Sequence, residues 1–103
     1  MEYKIFVPKT FNEKRFNLFE IKTNRKKVYQ LVLSKFDGLT IHDNNFGLWV
    51  DTDKKVYTDK IEILSIFSDK KKDKDIKEIC LKIKNWFKQK SVLYVKDNNP
   101  YFV

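Results

Sequence analysis

Leu39-Thr40-Ile41-His42-Asp43, then Phe46-Gly47-Leu48-Trp49-Val50-Asp51, then the longer run from Val56 to Phe67 form a continuous β-rich middle to the chain. β-branched and aromatic residues dominate these runs, which suits a pleated, half-buried surface. Asn44-Asn45 and Asp51-Thr52-Asp53-Lys54-Lys55 separate them with residues that favour turns. Helical patterns lie on both sides. Ile76, Ile79, Cys80, Ile83 and Phe87 fall at i, i+3, i+4, i+7 and i+11, one apolar stripe over three turns, and the charged run 68–75 leads into it. Upstream, Val28, Leu31, Val32 and Phe36 show helical spacing, with Asn24 as N-cap and Gly38 as the stop, which predicts a helix over 24–36.

Outside these helices, Tyr3 to Pro8 is a short strand closed by proline. Residues 9–17 read as a loop, and Leu18 to Ile21 as a short extension. Ser91 to Val95 is the last full strand, followed by a turn at Asn98-Asn99-Pro100 and a short end at 101–103. The order β-α-β-β-(β)-α-β predicts an α+β fold. It is a ferredoxin-like two-layer sandwich with an extra hairpin, in which two helices cover one face of an antiparallel sheet. A length of 103 residues fits a single domain over 1–103.

The 22 Lys+Arg against 14 Asp+Glu give a net charge of +8. The excess is unevenly spread. Residues 1–38 carry nine basic and four acidic groups, residues 39–68 three and five, and residues 69–103 ten and five. A polyanion would therefore meet the helix side, while the β segment is slightly acidic. The abundance of Lys, Asn, Ile and Phe and the lack of Ala resemble AT-rich codon usage, which explains part of the lysine content without a partner. With 42% hydrophobic residues the chain can build a core, so disorder is excluded. One cysteine, no apparent signal peptide and no membrane-length apolar run predict an intracellular, cytoplasmic protein.

Strand alternation predicts which side chains face away from the helices. Ile5 and Val7 inward leave Phe6 outward. Leu39 and Ile41 inward leave Thr40 and His42, and Leu48 and Val50 inward leave Trp49. Ile61, Ile63 and Phe67 inward leave Glu62, Leu64 and Ile66. An apolar patch of this size is seldom left wet on a monomer. It predicts a ligand or partner face, a homodimer formed sheet on sheet, or cover from segment 9–23. The leading expectation is a non-enzymatic binding protein acting through Phe6, Thr40, His42, Trp49 and Glu62, with inhibition of a larger machine as one role such a face could serve. Phe6 and Trp49 would be buried against the partner, and the polar three would orient it. No cofactor is expected.

Other features carry weaker chemistry. Lys70, Lys74, Lys77, Lys84 and Lys88 line one flank of the second helix and make nucleic acid an alternative partner. The ridge lacks the arginines whose bidentate geometry suits phosphate and base recognition. The strand order also invites comparison with RNA-recognition motifs, but Asn44 to Trp49 does not meet their third-strand signature. His42 could act as a general base in a small enzyme, though spacing fixes no nucleophile beside it. Asp51, Asp53, Asp59 and Glu62 occupy calcium-loop positions 1, 3, 9 and 12. Lys55 and Val56 stand where that loop needs a ligand and a glycine, so no metal site is expected. Cys80, on the buried stripe, reads as a core cysteine.

Gly38-Leu39-Thr40-Ile41-His42-Asp43, Gly47-Leu48-Trp49 and Phe87-Lys88-Gln89-Lys90-Ser91-Val92-Leu93 resemble a family of small uncharacterised bacterial α+β proteins. Its pattern runs Gly-Leu-Thr-Val-x-Asp, Gly-x-Trp, then Phe-x-Gln-Glu-Ser-Val. The likeness spans about residues 36–95 in matching order. It implies a ferredoxin-like, dimer-forming fold; the family has no established activity, so no catalytic role carries over from it. Lys90 replaces the usual glutamate, and the secretion signal common in that family is not apparent.

Overall fold

Alternation along the first strand sorts the sheet into two faces. The computed structural model describes residues 1–9 and 18–103, so the loop expected over 9–17 lies, apart from Lys9, outside the described residues. The elements are β1 (Glu2–Pro8), α1 (Leu18–Lys35), β2 (Thr40–Val50), β3 (Val56–Phe67), α2 (Asp73–Trp86), β4 (Leu93–Lys96) and β5 (Asn99–Phe102). They form one antiparallel sheet in the order β2-β3-β1-β4-β5, with both helices on one face. This is the expected ferredoxin-like sandwich. Tyr3, Ile5 and Val7 of β1 are buried with Val28 and Val32 of α1, with Phe36 just beyond its end, and with the α2 stripe Ile76, Ile79, Cys80 and Ile83. No helix among the described residues is long and apolar enough to cross a membrane.

Three local expectations are corrected. Helix α1 starts at Leu18, not Asn24. The Asn24 amide donates to the Trp86 carbonyl at 3.0 Å, so a residue read as a cap instead ties α1 to the end of α2. Gly38 does not adopt positive φ, and the helix closes with the Phe36 N–H on the Val32 carbonyl. Asn44-Asn45 is not a turn. β2 runs through it with a bulge between His42 and Asn45, and the extra residue is absorbed by Asn44 at φ 61°. The extra hairpin is β4–β5, closed by Asp97 and Asn98, both at positive φ as tight hairpins of this hand require.

Lys72, ahead of α2, has no capping side chain. The Tyr3 hydroxyl accepts its N–H at 3.0 Å and donates to Asp73 at 2.7 Å, while Lys96 reaches the same carboxylate at 3.1 Å. The Tyr3 hydrogen bond and Lys96 hold the Asp73 carboxyl below its ordinary range. That stabilisation is complete above the unfolded carboxyl's value of roughly 4 and fades as pH falls through the lowered native value. Asp73→Asn is expected to cost about 1 kcal/mol near neutral pH in urea unfolding. The gap to wild type should close as the pH is taken below roughly 4.

Candidate functional site on the helix-free sheet face

Pairing of β1 with β3 sets Ile5 beside Leu64, Val7 beside Glu62 and Phe6 beside Ile63. Leu64, Ile66 and Glu62 therefore point toward the helices, and Ile61, Ile63 and Phe67 point away. This is the reverse of the sequence expectation for β3. The sequence offered isoleucines as the natural core and a glutamate as the natural surface. The glutamate is instead buried, at 2% exposure, beneath α1. Its carboxylate accepts the Tyr29 hydroxyl and lies 3.8 Å from an Arg25 guanidinium nitrogen. Burial and the neighbouring Glu62 push the Tyr29 hydroxyl well above its ordinary value. Glu62 thus leaves the proposed binding face and becomes a buried polar tie between sheet and helix.

Phe6 and Trp49 remain on the helix-free face, in one cleft of about 520 Å³. The volume is that of a small-molecule site. β1 supplies Phe6 and Pro8, β3 Asp59 and Ile61, and β5 Phe102. Gln89 to Leu93 form the opposite rim. Trp49 reaches this cleft because the Asp51 turn sets the β2–β3 register. The Asp51 carboxylate accepts the N–H groups of Asp53 and Lys55 at 2.9 and 3.0 Å and the Tyr57 hydroxyl at 2.9 Å. That register places Trp49 opposite Tyr57, with ring centroids 4.3 Å apart in a stacked pair. The indole N–H donates to Asp59 at 2.8 Å, which fixes the ring against rotation. The cleft therefore combines apolar walls and aromatic planes with one carboxylate, Asp59, and a polar rim that includes Lys90.

Thr40 and His42 share this sheet face but lie away from the cleft, against Ser65, whose hydroxyl is 3.0 Å from the His42 Nε2. The five residues read from sequence are thus split: two in the cleft, two further along the same face, one on the other face. Sequence reasoning missed Asp59, Tyr57, Ser91 and Phe102. A signal for the first two existed. Counting back from a turn centred on Asp53 pairs Trp49 with Tyr57 and puts Asp59 two residues on, on the same face. Ser91 stood in the Phe87–Leu93 stretch of the family resemblance, without a role attached, and Phe102, at the chain's end, gave no signal.

A second cavity, of about 300 Å³, lies along α1 between Lys22, Thr23, Arg25, Lys26 and Tyr29, and its cationic lining suits no cation. Of the lysine ridge, Lys74, Lys77 and Lys84 lie on α2, whereas Lys70 and Lys88 fall outside its ends. Burial pushes the Cys80 thiol up to about 12, which makes it an inert core residue.

Residues 12–101 match the model of a family described as "Protein of unknown function (DUF3574)". No curated protein matches the chain in sequence. Among solved structures it resembles a phage SAM lyase in complex with S-methyl-5'-thioadenosine. The TM-score is 0.67 at 15% identity, over 99% of this chain and 87% of that one. The apo state of a phage SAM lyase gives 0.66 at 14% identity, over 99% and 86%. The expectation of a non-enzymatic interaction protein or inhibitor is corrected here, because both structural neighbours are enzymes. The fold that spans the chain is one on which an enzyme is built.

Proposed function

We propose, for a chain that belongs to the DUF3574 family of proteins of unknown function, that the cleft holds an adenosyl sulfonium such as S-adenosylmethionine and promotes its lyase cleavage. The observation that carries this reading is the Trp49–Asp59 pair in a largely apolar cleft, across from a polar rim of Gln89, Lys90 and Ser91. The aromatic planes of Trp49, Phe6 and Phe102 suit a stacked base, and aromatic faces also attract a sulfonium cation. Asp59 supplies negative charge in the one segment, residues 39–68, whose balance is acidic in a strongly basic chain.

The chemistry follows from charge. Cleavage breaks the bond between sulfur and the amino-acid arm; the bonding pair stays on sulfur, and the arm's own carboxylate oxygen bonds to the carbon that sulfur leaves, closing a lactone without a second reactant. A cation becomes a neutral thioether. Apolar walls, which exclude water, favour this loss of charge, as differential stabilisation of the transition state requires. Asp59 then holds the charged substrate better than the neutral product.

Charge also gives the test. Asp59→Asn keeps an acceptor for the Trp49 indole and removes only the negative charge. By calorimetric titration it is expected to weaken S-adenosylmethionine binding about tenfold or more, as loss of a charge-assisted contact does. Binding of the neutral thioether S-methyl-5'-thioadenosine should be unchanged. Chromatography of a wild-type incubation with S-adenosylmethionine should show that thioether accumulating. No binding of either nucleoside by the wild type would remove the reading.

A further inference from the structure

The two edges of the sheet are unlike. β5 is four residues long and contains Pro100, which has no N–H to offer a new strand. β2 is eleven residues long and lies at the other end of the sheet order. Exposed edge strands are normally protected by lysine, proline or shortness. β2 has none of these protections, in a chain with 22 Lys+Arg. Its bulge lies at the other end of the strand, between His42 and Asn45. Beyond the bulge, Phe46, Leu48 and Val50 share the face that also carries Val56 of β3, and these four are 59% to 71% exposed.

The Asp51 N–H donates to the Lys55 carbonyl at 3.1 Å. Parity then turns the backbone groups of Gly47 and Trp49 toward β3 and those of Phe46, Leu48 and Val50 outward. We propose that this edge pairs antiparallel with β2 of a second copy of the chain, each Leu48 opposite the other. In that register Phe46 meets the partner's Val50 on one face, and Trp49 meets the partner's Gly47 on the other. The largest side chain faces the residue with none, an arrangement that fills space across strands.

A second copy is the occupant because the segment matches itself. Residues 45–50 carry no charge and offer nothing to an acidic or basic partner, and Asp43 within the bulge is already paired with Lys9. Two chains of +8 can approach only through a surface free of that charge. The inference shares Trp49 with the ligand reading but is tested by mass without ligand, and it uses the strand edge in place of the sheet face first expected for a dimer.

Sedimentation equilibrium is expected to give twice the 12.5 kDa chain mass for the wild type and the single-chain mass for Leu48→Lys, with an unchanged far-ultraviolet spectrum. Oxidised Leu48→Cys should run as a disulfide-linked dimer, since directly paired strand residues stand about 5.5 Å apart, within disulfide reach. Thr58→Cys, on the inner strand, should not, and buried Cys80 stays silent. A monomeric wild type at its highest soluble concentration, a ring larger than two, a mass unmoved by Leu48→Lys, or no Leu48→Cys cross-link overturns the proposal.

Discussion

Trp49→Ala is expected to weaken binding of S-methyl-5'-thioadenosine by about 1–3 kcal/mol, roughly 5- to 150-fold, the range that removal of one base-stacking ring produces. The size of the effect follows from how the ring is held. Tyr57 stacks on it and Asp59 accepts its N–H, so the free protein presents the plane already ordered. A ligand then loses little affinity to ordering the side chain. Trp49→Phe should recover a large part of the loss, because it restores a plane without the tether. Trp49 is 46% exposed, so neither variant is expected to change the urea midpoint appreciably. Calorimetric titration of the three proteins at one salt concentration checks the series.

The largest expected stability effect lies on the other face of the sheet. Arg25→Met removes a charge beside Glu62, which is 2% exposed and has little water to replace it. Breaking a buried pair in this way costs about 3 kcal/mol or more, because the remaining carboxylate is left uncompensated. Adding Glu62→Gln to Arg25→Met should return most of that loss, since a neutral amide can still accept the Tyr29 hydroxyl. Urea unfolding of the single and double variants, read as a double-mutant cycle, measures the coupling. Equal stabilities of wild type and Arg25→Met would show that the pair contributes nothing to the fold.

Glu62 also explains how far the fold was legible in sequence. β1 and α2 could be read directly, because each has a single clean period that the structure keeps: Tyr3, Ile5 and Val7 on one side, and Ile76, Ile79, Cys80 and Ile83 on one stripe. β3 has no such asymmetry. Ile61, Ile63, Leu64 and Ile66 supply apolar residues to both faces, so parity rested on the assumption that a glutamate faces water. The partners that let it face inward, Arg25 and Tyr29, lie 37 and 33 residues away, and no local pattern announces them. The same limit applied to the cleft. Phe6 and Trp49 followed from alternation alone, Asp59 needed the hairpin register, and Phe102 needed the β4–β5 hairpin to fold back beside β1. Helix α1 was read six residues short because Asn24 looked like a cap, while its actual partner is the last turn of a helix 62 residues away.

The proposed ligand site is the cleft of the helix-free face, against Trp49. Its most direct test is a ¹H–¹⁵N chemical-shift titration of the wild-type protein with S-methyl-5'-thioadenosine. The two indole N–H signals report separately: Trp49 in the cleft, and Trp86 at the end of α2 as an internal reference. The predicted result is a saturable shift of the Trp49 indole with the backbone amides of Phe6, Ser91 and Phe102, while the Trp86 indole stays still. Shifts confined to Lys22–Tyr29 on α1, or no shift at the Trp49 indole at saturating ligand, would contradict it.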